Sequence, residues 1–250
     1  MQMDFSQFFV SPEKLVPGSG FTLFGPFHIT MLLFIALFIF VFCCWYRKQT
    51  NVRQRCLLKY LAILTVVQEV IKDIIIVAVG SPLIQYLPLH LCGLAMFFFF
   101  AAAWRPTPFV YELLYSLTLP GAIAALLFPN WTECPPMHFM CWHSFSFHTY
   151  LILFVCLLLS TGQLRPNWKL LPRCFVFLIV LSIPIYFFNK LTDTNYMFLN
   201  VPSEGSPLVP LANLLGNPGY IAGTAALLIL VWIFIYLPWT LMRLKNKTRI

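Results

Sequence analysis

The sequence has little charge, and most of the charge it has is positive. Charged residues make up 10% of the 250 positions, with 16 Lys and Arg against 8 Asp and Glu. A soluble domain carries about 25% charged residues. This shortage excludes an ordinary soluble enzyme, a disordered chain and a nucleic-acid binder, so we predict no nucleic-acid partner.

Apolar residues take the place of the missing charge. They account for 60% of the chain, and the mean hydropathy is +0.82. A bilayer-spanning helix needs about 20 apolar residues, and the chain contains seven such segments with short connections between them. We therefore predict an all-α, polytopic membrane protein with seven transmembrane helices in a single domain, residues 1–250. The predicted spans are 27–45, 57–79, 83–103, 109–128, 145–161, 170–188 and 219–242.

The basic residues indicate the orientation of these spans. Lys and Arg are retained on the cytoplasmic side of a membrane. In a seven-span arrangement most basic residues fall on one side, whereas Lys14 and Lys190 fall on the other. We therefore predict that the N-terminus is outside and the C-terminus is cytoplasmic. The basic residues on the cytoplasmic side are Arg47, Lys48, Arg53, Arg55, Lys59, Arg105, Arg165, Lys169, Arg173, Arg243, Lys245, Lys247 and Arg249.

The second predicted span carries three charged residues, Glu69, Lys72 and Asp73. A charged group at the bilayer centre costs about 2.5–3.5 kcal/mol on insertion scales. The three residues are spaced i, i+3 and i+4, so they share one helix face and Lys72 can pair with either carboxylate. One interpretation is a substrate-binding or proton-handling network, and the other is a structural ion pair between helices. The second carboxylate favours the functional interpretation.

Two histidines and two asparagines belong to the outer ends of other spans. His90 lies about 10 Å inside the third predicted span at 1.5 Å per residue, and Asp73 lies at a similar depth in the second. His148 lies within the first turns of the fifth span, and Asn189 and Asn195 flank the outer end of the sixth. We predict that Asp73 and both histidines line one outer-leaflet cavity, with an asparagine binding substrate beside Glu69 and Lys72.

The cysteines leave several hypotheses open. Cys92 is a candidate nucleophile, although on a regular helix it lies about 200° from His90, and a thiol in an apolar span usually acts as a small apolar group. Cys134, Cys141 and His143 have metal-ligand types, but their spacing matches no standard zinc signature. The two cysteines could instead form a disulfide or remain free. We predict no cofactor and no metal.

Four strings in the sequence resemble a known membrane family. The chain resembles the YwaF-type bacterial integral membrane proteins, which are similar to the eukaryotic transmembrane protein 164 group. The strings lie in the order and topology of that family and imply a seven-helix membrane domain in a bacterial inner membrane. They are LPLHLC (87–92), GAIAALLFP (121–129), HTYLI (148–152) and TNYMFL (194–199).

The resemblance also implies a chemistry. The eukaryotic group is associated with acyl transfer between phospholipids through an intramembrane Cys and His, and it is likened to small intramembrane esterases. His148 and His90 match histidines of the family, and Asn195 matches its Asn-x-Met string. Leu89 occupies the position of the eukaryotic Cys, and Cys92 follows three residues later.

Three functions compete on these grounds. The first is a lipid acyltransferase or esterase acting on membrane phospholipid, with His148 as the base, Asp73 or Glu69 orienting it, and Cys92 or water as the nucleophile. The second is a transporter of ions or a small solute along the Glu69, Lys72 and Asp73 face. The third is a seven-helix sensor or scaffold. We favour the first.

Overall fold

The computed structural model describes residues 6–247, with side chains up to residue 242, and these residues form helices with no strand among them. The predicted all-α class is therefore confirmed. Of the basic tail residues, Arg249 lies outside the described residues, and the side chains of Arg243, Lys245 and Lys247 are outside the description as well. The helices are α1 (Pro26–Tyr46), α2 (Asn51–Ala78), α3 (Leu91–Trp104), α4 (Pro108–Leu113), α5 (Leu119–Leu127), α6 (Phe139–Ser160), α7 (Leu171–Thr192), α8 (Leu208–Leu215) and α9 (Gly219–Lys247).

Within the described residues, five helical segments are long and apolar enough to cross a membrane. Two further helices correspond to predicted spans but fall outside that set. Helix α2 has 28 residues but carries Glu69, Lys72 and Asp73, and α3 is apolar but has only 14 residues. The five segments are Pro26–Tyr46, Pro108–Leu127, Phe139–Ser160, Trp168–Thr192 and Gly219–Met242.

Helix α6 lies at the centre of the bundle. Its most apolar stretch is 67% buried, against 11% for α1 and 17% for α9. It packs against α1, α2, α3 and α5. A helix that is apolar on all sides is expected inside a bundle, so α6 positions whatever polar groups it carries against several neighbours at once.

The third predicted span differs from the observed helix. Residues 83–90 form a short 3-10 turn (Leu83–Gln85) and an irregular stretch, and α3 begins only at Leu91. Pro88 explains the difference, because it has no N–H and disfavours helical geometry in the residue before it. Its backbone folds over the first turn of α3, so closely that a Cβ on Gly93 would come within 2.7 Å of the Pro88 carbonyl oxygen.

The fourth predicted span is a single run of helix with a wide turn in its middle. Helix α4 continues through a π-helical turn, Leu114–Thr118, into α5. Pro120 has no N–H to give to the preceding turn, and the carbonyl of Ser116 in that turn accepts a hydrogen bond from Trp232 Nε1 of α9 at 2.7 Å. The π-helical turn before Pro120 is thus tied to α9.

Two other boundaries also differ from the prediction. Helix α6 begins at Phe139, six residues before the predicted start at Phe145, because His138 caps it by accepting from the Met140 N–H at 3.2 Å. The long connection after α7 is partly helical, since it contains α8. His143, expected in a loop, therefore lies within the first turns of α6.

Candidate functional site

Glu69, Lys72 and Asp73 of α2 form a closed network. The Lys72 ammonium donates to the Glu69 carboxylate and to the backbone carbonyl of Tyr86, and its Nζ lies 3.1 Å from Asp73 Oδ1. Glu69 and Lys72 are buried, whereas the Asp73 side chain is 28% exposed. The ammonium thus donates two hydrogen bonds and forms an ion pair with Asp73, whose Oδ1 has no hydrogen-bond partner among the described residues.

Helix α6 adds a histidine to this network. His143 Nε2 lies 3.4 Å from Glu69 Oε2, and its ring stacks on Phe147 with centroids 5.6 Å apart. Gln68 of α2 donates to the His143 carbonyl at 3.1 Å and to Ser146 Oγ at 2.6 Å. Gln68 and Glu69, two successive residues of α2, therefore both contact α6.

His148 lies one turn further along α6, with one ring nitrogen engaged. Its Nδ1 is 2.7 Å from the carbonyl oxygen of Ser144. A carbonyl can only accept, so Nδ1 carries the hydrogen, and the neutral ring presents an unprotonated Nε2. Trp131 stacks on the ring at 5.2 Å with an interplanar angle of 14°. The predicted orienting carboxylate is corrected: Ser144, and neither Asp73 nor Glu69, holds His148.

His90 has the opposite arrangement. It is the N-cap residue of α3, and its Nδ1 accepts the Met197 backbone N–H at 3.2 Å. A backbone N–H can only donate, so Nδ1 has no hydrogen and Nε2 carries it. The rings of Tyr196 and Phe198 lie 5.2 and 5.1 Å away. The predicted placement of His90 within a regular helix, with Cys92 at a fixed angle from it, is therefore wrong.

The two asparagines organise the loop that holds His90. Asn189 is fully buried within α7; its Oδ1 accepts from the Tyr196 N–H and the Thr194 hydroxyl, and its Nδ2 donates to the Tyr196 carbonyl. Asn195 Oδ1 accepts the N–H groups of Asn200 and Val201. Both amides are thus engaged with the protein. We assign them a positioning role in place of the predicted contact with substrate.

The loop itself is held in an unusual backbone conformation. Met197 and Phe198 have φ values of 57° and 54°, in the left-handed region that residues other than glycine rarely adopt. Such strain persists where the surroundings over-determine it. Here the Tyr196 hydroxyl donates to the Ile84 carbonyl at 2.6 Å and accepts the Leu87 N–H at 2.9 Å, and so joins the loop to the segment before His90.

The N-terminal segment is attached to the same region. Glu13 accepts hydrogen bonds from the hydroxyls of Ser11, Ser81 and Tyr86. Burial of the carboxylate would raise its pKa, but these three donors outweigh burial and lower the pKa of Glu13 to about 2. Because the carbonyl of Tyr86 binds Lys72, the segment is connected to the α2 network through one residue.

The histidines of the site and the charged side chains of α2 interact electrostatically. His90 lies within electrostatic range of His148, Lys72 and Glu69, and His148 within range of His143 and Glu69. The predicted outer-leaflet cavity lined by Asp73, His90 and His148 stays a prediction. The arrangement offers one imidazole that can accept a proton, one that can donate a hydrogen bond, and a nearby carboxylate.

The cysteines form no hydrogen bond with the histidines of this site among the described contacts. A Cβ on Gly121 would lie 3.9 Å from Cys92 Sγ, and the described contacts give Cys92 no histidine partner. Cys134 and Cys141 are free and buried, and burial raises the pKa of the Cys134 thiol to about 11. Among residues 6–247 no group of three His, Cys, Asp or Glu could hold a metal ion.

Sequence reasoning missed two residues that organise the site. The residue types in this region group His143 with Cys134 and Cys141. Its spacing of four from Phe139 and from Phe147, however, is typical of one helix face. Tyr196 belongs to the TNYMFL string, but its hydroxyl reaches across to Ile84 and Leu87, which are more than a hundred positions away. No local pattern predicts a contact of that separation.

One comparison with known proteins identifies a relationship. The family model described as the TMEM164 family matches residues 23–236, which include every helix from α1 through most of α9. No curated protein and no solved structure matches the chain. The more detailed resemblance to the YwaF-type bacterial branch stays a prediction.

Proposed function

The chain belongs to the TMEM164 family, and we propose that it is a membrane enzyme that transfers or hydrolyses the acyl groups of glycerophospholipids. The proposal rests on the opposite hydrogen-bonding states of His148 and His90. Acyl transfer requires a base for the attacking group and a donor for the oxygen that becomes negative. The two Nε2 atoms supply one of each.

The reaction needs no nucleophile from the protein. A hydroxyl group of water or of an acceptor lipid attacks the ester carbonyl carbon and transfers its proton to His148 Nε2. The tetrahedral oxyanion accepts a hydrogen bond from the Nε2–H group of His90. Collapse breaks the ester C–O bond, and the leaving oxygen takes the proton back from His148. Water gives a fatty acid and a lysolipid, whereas a lipid hydroxyl gives an exchanged acyl ester.

The charged residues of α2 support this chemistry from outside the reacting groups. The negative charge of Glu69, within range of His148, favours the imidazolium that forms during the transfer. Lys72 is engaged with Glu69, Asp73 and the Tyr86 carbonyl, so it is not free to escort a solute. This closed network favours the enzyme over a transporter.

We place the chain in the membrane with seven spans, the N-terminus outside and the C-terminus cytoplasmic. The spans are α1, α2, α3, α4 with α5, α6, α7 and α9. Helix α2 can cross because Lys72 compensates its buried carboxylate, since buried charges are tolerated when paired. Helix α3 is about 21 Å long at 1.5 Å per residue, and the irregular residues 83–90 complete its crossing.

The test is a lipid-product assay on the full chain in nanodiscs. The protein is incubated with a phospholipid carrying an isotope-labelled acyl chain and an unlabelled lysolipid acceptor, and products are read by mass spectrometry. We expect His148→Asn to lower turnover at least about hundredfold, the range for loss of a general base. We expect Cys92→Ala to stay within about twofold of the parent, because no thiol enters this mechanism.

His138→Asn is the matched control. It removes a histidine from the start of the same helix, and asparagine is a favourable N-cap residue. Equal losses in the two variants would assign the effect to damaged structure. If the folded parent protein yields no labelled fatty acid, no labelled lysolipid and no exchanged ester, the proposed function is overturned.

A further inference from the structure

A second polar region lies at the other end of the bundle. An open cleft of about 500 Å³ is formed where α1 ends, α2 begins and α6 ends. Arg47 and Arg55 line it together with uncharged polar side chains, among them Gln54 and Gln163. Along α2, residue 54 is about 22 Å from Glu69 at 1.5 Å per residue, so the cleft is separate from the histidine site.

The wall of the cleft is fixed by hydrogen bonds. Gln54 is 6% exposed; its Nε2 donates to the carbonyls of Tyr46 and Gln49 at 3.2 and 3.1 Å, and its Oε1 accepts from Gln163 at 3.3 Å. Gln163 also donates to Thr161 Oγ1 at 3.0 Å. These contacts join α1, α2 and the end of α6, so the cleft has a preformed floor.

In the part of the chain that the structure describes, the side chains of the two arginines form no ion pair and no hydrogen bond. No acidic residue lines the cleft. Two guanidinium groups beside neutral hydrogen-bonding side chains form a site with two uncompensated positive charges, which attracts an anion.

The chemistry of the lining indicates the class of anion. The planar guanidinium fork matches the oxygens of a phosphate group. A volume of about 500 Å³ exceeds what a bare phosphate needs and lies in the range of small-molecule sites. Arg47 directly follows the apolar helix α1, so the cleft opens at the depth where lipid headgroups lie.

We propose that this cleft binds a phosphate group that carries an organic substituent. The two sources of that chemistry are the headgroup of an anionic phospholipid in the adjoining leaflet and a soluble organic phosphate. The site acts independently of the proposed acyl chemistry, because it shares no residue with the histidine site.

The experiment measures binding to the purified full chain. In one arm, glycerol 3-phosphate is titrated into protein held in neutral detergent and followed by calorimetry. In the other, the protein is placed in nanodiscs of phosphatidylcholine with phosphatidylglycerol, and the lipid that stays bound after release is identified by native mass spectrometry. Saturable binding in the first arm indicates a soluble ligand, and selective retention of phosphatidylglycerol indicates a headgroup.

The test variant is the double substitution Arg47→Gln with Arg55→Gln. The matched control is Lys48→Gln with Arg53→Gln, which removes the same charge from the same segment but outside the cleft lining. We expect the cleft variant to weaken binding at least about tenfold, because charge-assisted contacts to phosphate are lost. The control should stay within about twofold, as screened surface charges do.

A third variant, Arg47→Lys with Arg55→Lys, keeps the charge and removes the fork. We expect binding between those of the parent and the glutamine variant, and this variant tests the site even if the glutamine variant fails to fold. Equal loss in the cleft and control variants would show a diffuse electrostatic effect and overturn the proposal. Absence of saturable binding and of selective lipid retention in the parent protein would overturn it as well.

Discussion

At the scale of single residues, the buried ion network of α2 shows what burial requires of an ionisable group. Glu69 and Lys72 are 6% and 5% exposed, and each has the other as a partner. Removing one charge of a buried pair leaves the other uncompensated, which costs more than removing both. The network therefore stabilises the bundle only as a unit.

We predict that Lys72→Met destabilises the protein by about 3–5 kcal/mol, because it leaves Glu69 buried without its cation. The double variant Lys72→Met with Glu69→Gln should be less destabilised than Lys72→Met alone. Reversible unfolding in mixed micelles measures both free energies. A double variant that is as unstable as the sum of the single variants would contradict the pairing.

A second prediction at this scale concerns pH and Glu13. Its pKa is lowered to about 2 in the folded chain from an ordinary 4.5, so the folded state holds the proton less tightly than the unfolded state does. This contribution to stability is complete above pH 4.5 and is lost as the pH falls toward 2. We expect the protection of the amides in residues 8–14, measured as exchange relative to the intrinsic rate at each pH, to fall over that interval.

Glu13→Gln supplies the control for the pH experiment. The variant lacks the titrating group, so the protection of its amides in residues 8–14 should be already lowered at neutral pH and should change little between pH 4.5 and 2. The same pH-dependent step in the variant would assign the change to another group.

At the scale of elements, Pro88 and Pro120 each interrupt a run of regular helix. Residues beside each of them form hydrogen bonds with another part of the chain. Pro88 delays the start of α3 and so places His90 in an N-cap position, where its ring can meet the Met197 N–H. Pro120 follows the π-helical turn, and Trp232 of α9 donates to the carbonyl of Ser116 there. Because Pro120 has no N–H to give to the preceding turn, the Ser116 carbonyl accepts from Trp232 instead, and this hydrogen bond links α9 to the middle of the bundle.

We expect Trp232→Phe to destabilise the protein by about 1–3 kcal/mol, the penalty for leaving a buried carbonyl without a donor. The phenyl ring keeps much of the packing but has no N–H. Trp239→Phe is the control, since Trp239 Nε1 donates to the Tyr115 hydroxyl from a partly exposed position, and its loss should cost less. Thermal unfolding of both variants decides the comparison.

At the scale of the whole molecule, the proposed topology puts two polar regions on opposite sides of the membrane. In that topology, the histidine site faces outside and the arginine cleft faces the cytoplasm. Helices α2 and α6 contribute to both regions. Since α6 is the most buried of the five candidate spans, its two ends are held at a fixed separation.

The orientation is tested by cysteine labelling in intact cells. We predict that a membrane-impermeant maleimide labels Glu204→Cys, in the connection between α7 and α8, and does not label Lys169→Cys, in the connection between α6 and α7. Both side chains are exposed. Labelling is compared with the parent chain, whose native thiols give the background, and with permeabilised cells. Labelling of Lys169→Cys alone in intact cells would reverse the orientation.

The sequence alone determined the class of protein. Apolar length and scarce charge leave only a helical membrane protein as the outcome, because unpaired backbone groups cannot be left in hydrocarbon. The positions of α1, α2, α6, α7 and α9 follow from the same patterns to within a few residues, apart from the early starts of α2 and α6, each six residues before the predicted start. The shared face of Glu69, Lys72 and Asp73 follows from helical periodicity.

Only the tertiary structure decided the states of the polar groups. His90 and His148 are the same side chain, yet a backbone N–H fixes one tautomer and a backbone carbonyl fixes the other. The N–H belongs to Met197, which folds back onto His90 through the contacts of Asn189 and Tyr196. Hydrogen bonds between residues this far apart depend on how helices pack, and packing leaves no periodic trace in the sequence.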